Sequence, residues 1–163
     1  MNVYLDSSAI LKRYLDEIGT NIADIIFDKA QSALVTIIYN ILNTGEVIGI
    51  FDKLLNMKKI SEKEYKSSIE KYFGETLRLL DIKTLNVMPC KTSYIIDSWD
   101  YVTKFHLYIV DALQLATAIE TKASLFISGD KRLVKVAKEL SLLSYNIEFE
   151  QDEILEKLTG NHG

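Results

Sequence analysis

Four acidic residues stand where a folded chain could bring them together. Asp6 follows the short apolar run 1–5 and directly precedes a helical pattern, and Asp130 follows the apolar run 125–127 after a two-residue turn. Asp111 opens the helical pattern that leads into this second run, whereas Glu46 lies inside a long helical pattern. In open α/β folds, ligands bind at the carboxyl edge of the sheet. We therefore expect the three aspartates to share that edge, with Glu46 projecting from a helix beside it.

A cluster of four carboxylates would need protons or a cation to be stable. Two carboxylates about 5 Å apart repel each other by ~3 kcal/mol at an effective dielectric constant of about 20. A divalent ion would remove this repulsion. It would also lower the pKa of a bound water molecule and stabilise charge on a phosphate group. The acids therefore predict a metal site with hydrolytic chemistry that requires no cysteine or histidine nucleophile.

Each acid also has a simpler interpretation. Aspartate is a preferred helix N-cap, and Asp6, Asp111 and Asp130 each stand where a helix is expected to begin. Glu46 does not fit this explanation, because a charged residue in mid-helix between apolar neighbours is uncommon unless it is paired. A buried salt bridge to a lysine is the alternative role for Glu46.

The composition narrows the metal and the class of protein. The chain has one cysteine, Cys90, and two histidines, His106 and His162, which argues against a cysteine- or histidine-based site. Hard oxygen ligands favour Mg²⁺ or Mn²⁺. The net charge of -4 gives no basic signature, although one face can still be basic. No apolar run could span a bilayer and no signal-peptide pattern occurs, which predicts a soluble, cytoplasmic protein.

Apolar periodicity predicts strands that alternate with helices. This alternation indicates parallel strand pairing with helices on both faces of the sheet, the α/β class. No linker, repeat or low-complexity stretch interrupts the chain, so we predict one domain over residues 1–163, with 159–163 as a flexible tail. The predicted strands are 1–5, 33–36, 84–88 and 125–127, with 144–149 as a candidate fifth, and the predicted helices are 9–14, 21–30, 39–57, 61–80, 93–106, 111–119, 131–140 and 152–158.

Two local features of the helices carry further expectations. Ser61 and Glu64 have the spacing of an N-cap and its capping-box partner, so a helix is expected to begin there. Gly45 and Gly49 flank Glu46 one turn apart. Because glycine removes side-chain bulk, we expect this part of the helix to approach another element closely.

Four motifs occur in order along nearly the whole chain. They are VYLDSSA at 3–9, Glu46-Val47, VDALQLATA at 110–118 and FISGDKRL at 126–133. The Asp-Ala-Leu-x-Leu-Ala-x-Ala block followed by Ser-Gly-Asp is the more specific part. Together these motifs resemble the PIN-domain family, and in particular the VapC-type toxins of toxin–antitoxin pairs.

The resemblance implies a fold, an activity and a set of site residues. The fold would have three layers, α/β/α, around a central parallel sheet of four to five strands. The activity would be that of a metal-dependent endoribonuclease, whose acids bind Mg²⁺ or Mn²⁺. Carried onto this sequence, the catalytic and metal-binding residues are Asp6, Glu46, Asp111 and Asp130.

The resemblance also implies partners and weaker site residues. Ser7 or Ser128 could hydrogen-bond a carboxylate or a phosphate oxygen, and Glu46 would either ligate the metal or orient a water molecule. Segment 38–44 lacks the Ser/Thr-rich lead of many members, and Asp52 is the alternative to Glu46. Proteins of this kind form homodimers and are inhibited by a cognate antitoxin.

Lys131 and Arg132 are the cations placed best to bind RNA, which requires positive charge for its phosphates. They stand in the first turn after Asp130, where cations oppose the helix dipole. This local cost favours a role in phosphate binding, and a salt bridge to a neighbouring acid is the alternative. The same two interpretations apply to Lys12 and Arg13 near Asp6.

Several other residues have less specific expectations. Tyr65, Tyr72 and Phe73 could form a partner-binding face on the fourth long helix. We expect His106 to be a packed residue rather than a ligand. Cys90 is expected to be inert rather than nucleophilic, because no histidine is evident beside it.

Three competing hypotheses start from the same residues. An aspartyl phosphatase of the dehalogenase type would need a second acid two residues after Asp6, where the chain has Ser8. A receiver domain would need paired acids before its phospho-acceptor, which this sequence does not supply. A catalytically silent PIN-like module that binds RNA or protein differs from the nuclease in lacking carboxylate-dependent Mn²⁺ binding.

Overall fold

Five parallel strands form one sheet in the computed structural model, which describes residues 1–160. The strand order is β3-β2-β1-β4-β5. Strands β2 and β3 therefore lie on one side of β1, and strands β4 and β5 lie on the other. The predicted parallel α/β fold is confirmed. The strands are β1 (Asn2–Leu5), β2 (Thr36–Asn40), β3 (Leu85–Met88), β4 (Leu125–Ser128) and β5 (Ser144–Asn146).

Successive strand residues point to opposite faces of the sheet. Because apolar side chains are buried on both faces, helices cover both of them. One face buries Val3 and Leu5 against α1–α4 and α8, whereas Tyr4 and Phe126 point to the other face and pack with α6 and α7. The result is the predicted three-layer α/β/α arrangement. The helices are α1 (Ser7–Leu11), α2 (Thr20–Gln31), α3 (Ile41–Asn56), α4 (Glu62–Asp81), α5 (Thr92–Phe105), α6 (Ile109–Glu120), α7 (Lys131–Glu139) and α8 (Gln151–Thr159).

The second strand lies later in the chain than the sequence predicts. Residues 33–36 were expected to form it, but Ala33 has a positive φ of 58° and Leu34 is exposed, so the turn after α2 extends through these two residues. Thr36, the last residue of the predicted strand, is the first residue of β2. The run 37–39 is the centre of β2, so Tyr39, predicted as the first residue of a helix, belongs to the strand. The residues of this run are β-branched or aromatic, which favours a strand. Asn40 then caps α3 through its side chain, which accepts a hydrogen bond from the Leu42 amide.

Other local expectations have mixed outcomes. Ser61 and Glu64 form the predicted capping box at the start of α4. The candidate fifth strand is confirmed but ends at Asn146 rather than at residue 149. The predicted tail begins too early, because Thr159 ends α8 and Gly160 is its C-cap. Residues 161–163 of that predicted tail lie outside the described residues.

Two expectations about helix surfaces are wrong. A Cβ atom added at Gly45 or Gly49 would meet no atom within 4 Å, so α3 makes no close approach to another element there. Tyr72 is buried in the core, where its ring packs edge-on against Tyr14, so it cannot belong to an exposed partner-binding face. Over residues 1–160, the helices include none with the length and apolar character needed to cross a membrane.

Candidate metal centre

The candidate site lies where the strand order reverses, between β1 and β4. Strands β1 and β4 are neighbours, and the register pairs Leu5 with Ile127. The chain continues from β1 toward β2 on one side and from β4 toward β5 on the other. Such a switch point at the carboxyl ends of parallel strands is where open α/β sheets bind ligands. Asp6 and Ser128 both lie there.

Asp6 is a buried carboxylate that only accepts hydrogen bonds. The hydroxyl groups of Ser8 and Ser128 donate to it at 2.7 and 2.6 Å, and the Ala9 amide donates at 2.8 Å. Asp6 thus also caps α1, as its alternative role requires. The pKa of Asp6 is raised to about 6, chiefly by burial and also by the charge on Asp111, and the hydrogen bonds oppose this rise.

Ser128 connects two of the acids. Its hydroxyl donates to Asp6 and accepts a hydrogen bond from the Asp130 amide at 2.9 Å. The exposed Asp130 side chain caps α7 by accepting from the amides of Arg132 and Leu133. Its capping role is therefore confirmed too. Capping uses one of the two carboxylate oxygens, Oδ1, and leaves the other available for a different partner.

Glu46 is held by neutral side chains rather than by a lysine. Ser7 donates to its carboxylate through a short hydrogen bond, and Gln114 donates to the same oxygen at 2.9 Å. Asn43 in turn donates to the Ser7 hydroxyl at 2.9 Å, one helical turn before Glu46. Burial raises the pKa of Glu46, and the hydrogen bond from Ser7 opposes this effect. The salt-bridge alternative is wrong for the described part of the chain. The second candidate, Asp52, is exposed and accepts a hydrogen bond from Asn56.

Asp111 interacts with the other three acids through its charge. It lies in the first turn of α6, but Tyr108 occupies the N-cap position, so Asp111 is not the cap of this helix. The pKa of Asp111 is raised to about 6, chiefly by burial and also by the charges on Glu46 and Asp130, whereas the charge on Arg132 opposes this rise. Carboxylates from four separate elements therefore influence one another's pKa values through their charges.

The donor chemistry fits a hard divalent cation. Within residues 1–160, no lysine or arginine forms a salt bridge with Asp6, Glu46, Asp111 or Asp130. Oxygen ligands of this kind suit Mg²⁺ or Mn²⁺. The spacing is wider than one coordination shell, because over the same residues no three acidic, histidine or cysteine groups are close enough to hold an ion.

The basic residues near these acids have different roles. Lys12 forms salt bridges with Glu17 and Glu148, and Arg13 pairs with Glu75, so the salt-bridge interpretation describes both. The Arg132 guanidinium donates to the carbonyl groups of Phe105 and His106 at 3.0 and 2.6 Å. The Lys131 ammonium lies 3.7 Å from the centre of the Phe149 ring.

His106 and Cys90 are both exposed. His106 is exposed with a positive φ of 52° at the end of α5, so the prediction of a packed residue is wrong. Cys90 is an exposed free thiol that donates a hydrogen bond to Asn40 Oδ1 at 3.3 Å.

Three residues that support the acids were not predicted. They are Ser8, Asn43 and Gln114, which donate hydrogen bonds to Asp6, Ser7 and Glu46, respectively. Spacing could have indicated Gln114, because it lies three residues after Asp111 and therefore on the same face of α6. Gln114 is buried, and its Oε1 atom has no hydrogen-bond partner among the described residues.

Gly129 leaves space that Ser8 needs. Its amide donates to the Ser8 hydroxyl at 2.7 Å, and an added Cβ atom would lie 2.9 Å from that oxygen. We expect Gly129→Ala to force Ser8 away from Asp6 and to lower the free energy of unfolding by about 1–3 kcal/mol, as overpacking does. Urea denaturation measures this change.

Gly45→Ala is the matched control for that substitution. Its new methyl group meets open space on α3, and alanine in a helix interior is favoured over glycine by roughly 0.5–1 kcal/mol. The two substitutions should therefore change stability in opposite directions. Equal stabilisation by both would contradict the close contact between Gly129 and Ser8.

Comparison with known proteins decides the family. A family model described as PIN domain matches residues 3–139. The chain belongs to the PIN domain family. No curated protein sequence matches it. The predicted family and its fold are thus confirmed over most of the chain.

Solved structures show the same PIN fold at low sequence identity. FitAcB from Neisseria gonorrhoeae is 13% identical, with 89% of this chain and 97% of that chain covered and a TM-score of 0.65. VapC20 from Mycobacterium tuberculosis, a toxin that cleaves the sarcin-ricin loop, is 12% identical over 82% and 94% of the two chains, with a TM-score of 0.58. VapBC2 from Rickettsia felis, bound to a promoter DNA fragment, is 14% identical over 90% and 98%, with a TM-score of 0.54.

Proposed function

We propose that this PIN domain is a divalent-metal-dependent endoribonuclease that hydrolyses RNA phosphodiester bonds. The observation that carries the proposal is the set of four carboxylates at and beside the switch point. Asp6 is buried without a cation, and the charge on Asp111 raises its pKa. The charges on Glu46 and Asp130 in turn raise the pKa of Asp111. Such an arrangement is unfavourable at neutral pH unless a cation compensates the charge.

Each acid has a specific place in this proposal. Asp6, Asp111 and Asp130 would hold Mg²⁺ or Mn²⁺, and Glu46 would either ligate it or orient a water molecule. The chemistry that a bound ion supplies is a lower pKa of water and stabilisation of charge on the phosphate. Ser8 and Ser128 fix the position of the Asp6 carboxylate through their hydroxyl groups.

Glu46 depends on a second set of contacts. Ser7 and Gln114 donate to the same oxygen of its carboxylate, so its other oxygen is free to accept a hydrogen bond from water or to bind a cation. Asn43 holds Ser7 in place. The predicted role of Ser7 as a carboxylate partner is therefore the one that its contacts support.

The biological role that we propose is that of a toxin with a cognate antitoxin. Structural similarity to VapC20 and to VapBC2 supports this role, and the expected compartment is the cytoplasm. A homodimer is also part of the proposal. Its support is the exposure of large apolar side chains on α5 and at the start of α6, where Trp99 is 56% and Tyr108 is 83% exposed. Light scattering should give twice the monomer mass of 18.6 kDa.

A direct test of the function is RNA cleavage by the purified chain with Mn²⁺ and after its removal by EDTA. We expect cleavage of single-stranded RNA only when the divalent ion is present, because the proposed attacking group is a water molecule activated by that ion. Cleavage that persists at full rate in EDTA would contradict the proposed chemistry.

Metal binding itself is a separate prediction. In calorimetry, we expect Mn²⁺ binding to release protons near neutral pH, because the pKa values of Asp6 and Asp111 are both raised to about 6. Asp111→Asn should lower the Mn²⁺ affinity by at least about tenfold, given that changes outside the coordination shell already cost 10- to 100-fold.

The alternative is a catalytically silent PIN module that binds RNA or protein. The wide spacing of the acidic groups within residues 1–160 favours this alternative. A silent module would give the same weak Mn²⁺ heat for the parent chain and for Asp111→Asn. That result would replace the nuclease proposal with the binding module.

A further inference from the structure

A groove beside the acids combines lysines with an exposed aromatic ring. It lies between α7 and the segment after β5, and its volume is about 460 Å³, within the range of small-molecule sites. Lys131, Lys135 and Lys138 line it from α7, and Phe149 lines it from the opposite side. Phe149 is 60% exposed, although it is large and apolar.

The charge of the groove is positive although the chain is acidic overall. Glu150 is the carboxylate that lines it, and Lys138 neutralises this charge with a contact of 2.6 Å. Lys131 and Lys135 form no salt bridge with any acid in the part of the chain that the structure describes. Two uncompensated cations therefore face an apolar surface.

The groove begins at Lys131, one residue after the acid Asp130. Lys131 follows Asp130 in the chain, so their Cα atoms are about 3.8 Å apart. Asn146, which also lines the groove, donates to the Gly129 carbonyl at 3.0 Å. A strand of RNA whose phosphate lies at the acids would therefore have the groove beside it.

Phe149 supplies a surface on which a base could stack. The Lys131 ammonium covers one face of the ring at 3.7 Å, and the large exposed fraction leaves the rest of the ring accessible. Base stacking on aromatic side chains, combined with a cationic groove that follows the backbone, is how proteins hold single strands with little sequence preference. An acidic protein segment would use the lysines but would not require a planar ring.

We propose that Phe149 stacks a nucleobase of single-stranded RNA next to the scissile phosphate, while Lys131 and Lys135 bind the flanking phosphates. This proposal rests on the proposed nuclease function and names the surface that holds its substrate. It explains why an apolar ring remains exposed beside the acids, and why lysines occupy the first turns of α7 against the helix dipole.

Fluorescence anisotropy of a short, labelled, mixed-sequence oligoribonucleotide in EDTA tests this surface without cleavage. Phe149→Leu should weaken binding by roughly 5- to 100-fold, as loss of one stacked base does. Phe149→Tyr keeps the ring and should bind within about twofold of the parent. Lys135→Gln should reduce the slope of log affinity against log salt by about 0.7, the value for one phosphate contact on a single strand.

Matched controls separate the groove from general surface effects. Phe73, on α4, is the comparison for Phe149, because it is also an exposed phenylalanine at 39%. Lys66→Gln on the same helix removes an exposed lysine far from the groove in sequence. Both Phe73→Leu and Lys66→Gln should bind RNA like the parent. Equal losses for Phe73→Leu and Phe149→Leu would overturn the proposal.

Cleavage in Mn²⁺ distinguishes failure of this inference from failure of the nuclease. If the parent cleaves RNA and Phe149→Leu has unchanged affinity and KM, the groove proposal is wrong and the nuclease stands. If the variants lose affinity as expected but even the parent never cleaves, the nuclease is wrong and the chain binds RNA as a silent module. An increase in KM with unchanged kcat for Phe149→Leu would support both.

Discussion

The Asp6→Asn chain should lose metal-dependent RNA cleavage by at least about 100-fold and should remain folded. The expected loss exceeds the effect of changes outside a coordination shell, which already reaches 10- to 100-fold. Asparagine has nearly the same shape and is an equally good N-cap, so the hydrogen bond from the Ala9 amide can be kept. Cleavage rates in Mn²⁺ and a urea melt on the same preparation measure both parts.

Asp52→Asn is the matched control for that experiment. It removes the same charge from an exposed position on α3, where the carboxylate contacts Asn56. We expect cleavage by this variant to equal that of the parent. Should Asp6→Asn cut RNA as fast as Asp52→Asn, Asp6 would have no catalytic or metal-binding role.

Acidification should stabilise the metal-free protein. In the native state the pKa of Asp6 is raised from 3.8 to about 6 by burial, so the folded chain binds a proton that the unfolded chain releases. Stability therefore falls as the pH rises through about 6 and is highest near and below the unfolded value. Between about pH 7.5 and about pH 5, Asp6 alone should add about 1.4 kcal/mol to the free energy of unfolding. The raised pKa of Asp111 acts in the same direction.

Two comparisons isolate this effect. Asp6→Asn should lack the contribution of Asp6, whereas other groups, including Glu150 with its lowered pKa, titrate alike in both proteins. Saturating Mn²⁺ should reverse the trend, because protons then compete with the ion for the carboxylates. Urea melts at the two pH values give the numbers. Identical pH dependence in the parent and Asp6→Asn would show that the pKa of Asp6 is not raised.

The fold class was predictable because its signals are local. Short apolar runs that end in Asp6 and at Ser128 indicate buried strands, and Ser61 with Glu64 marks the start of a helix within four residues. Strand β2 was misplaced because its local signal is ambiguous. The run 37–39 is equally apolar as a strand or as a buried helix segment, and only pairing with β1 and β3 decides between them.

The chain's sequence by itself determined the family, the parallel α/β architecture and the four acids proposed as the site. Only the tertiary structure decided what surrounds those acids. Ser128 reaches Asp6 across 122 positions and Gln114 reaches Glu46 across 68. Lys12 is bound by Glu148, whereas Lys131 and Phe149 meet beside the acids. Contacts of this kind depend on strand order and helix packing, which no local pattern of residues encodes.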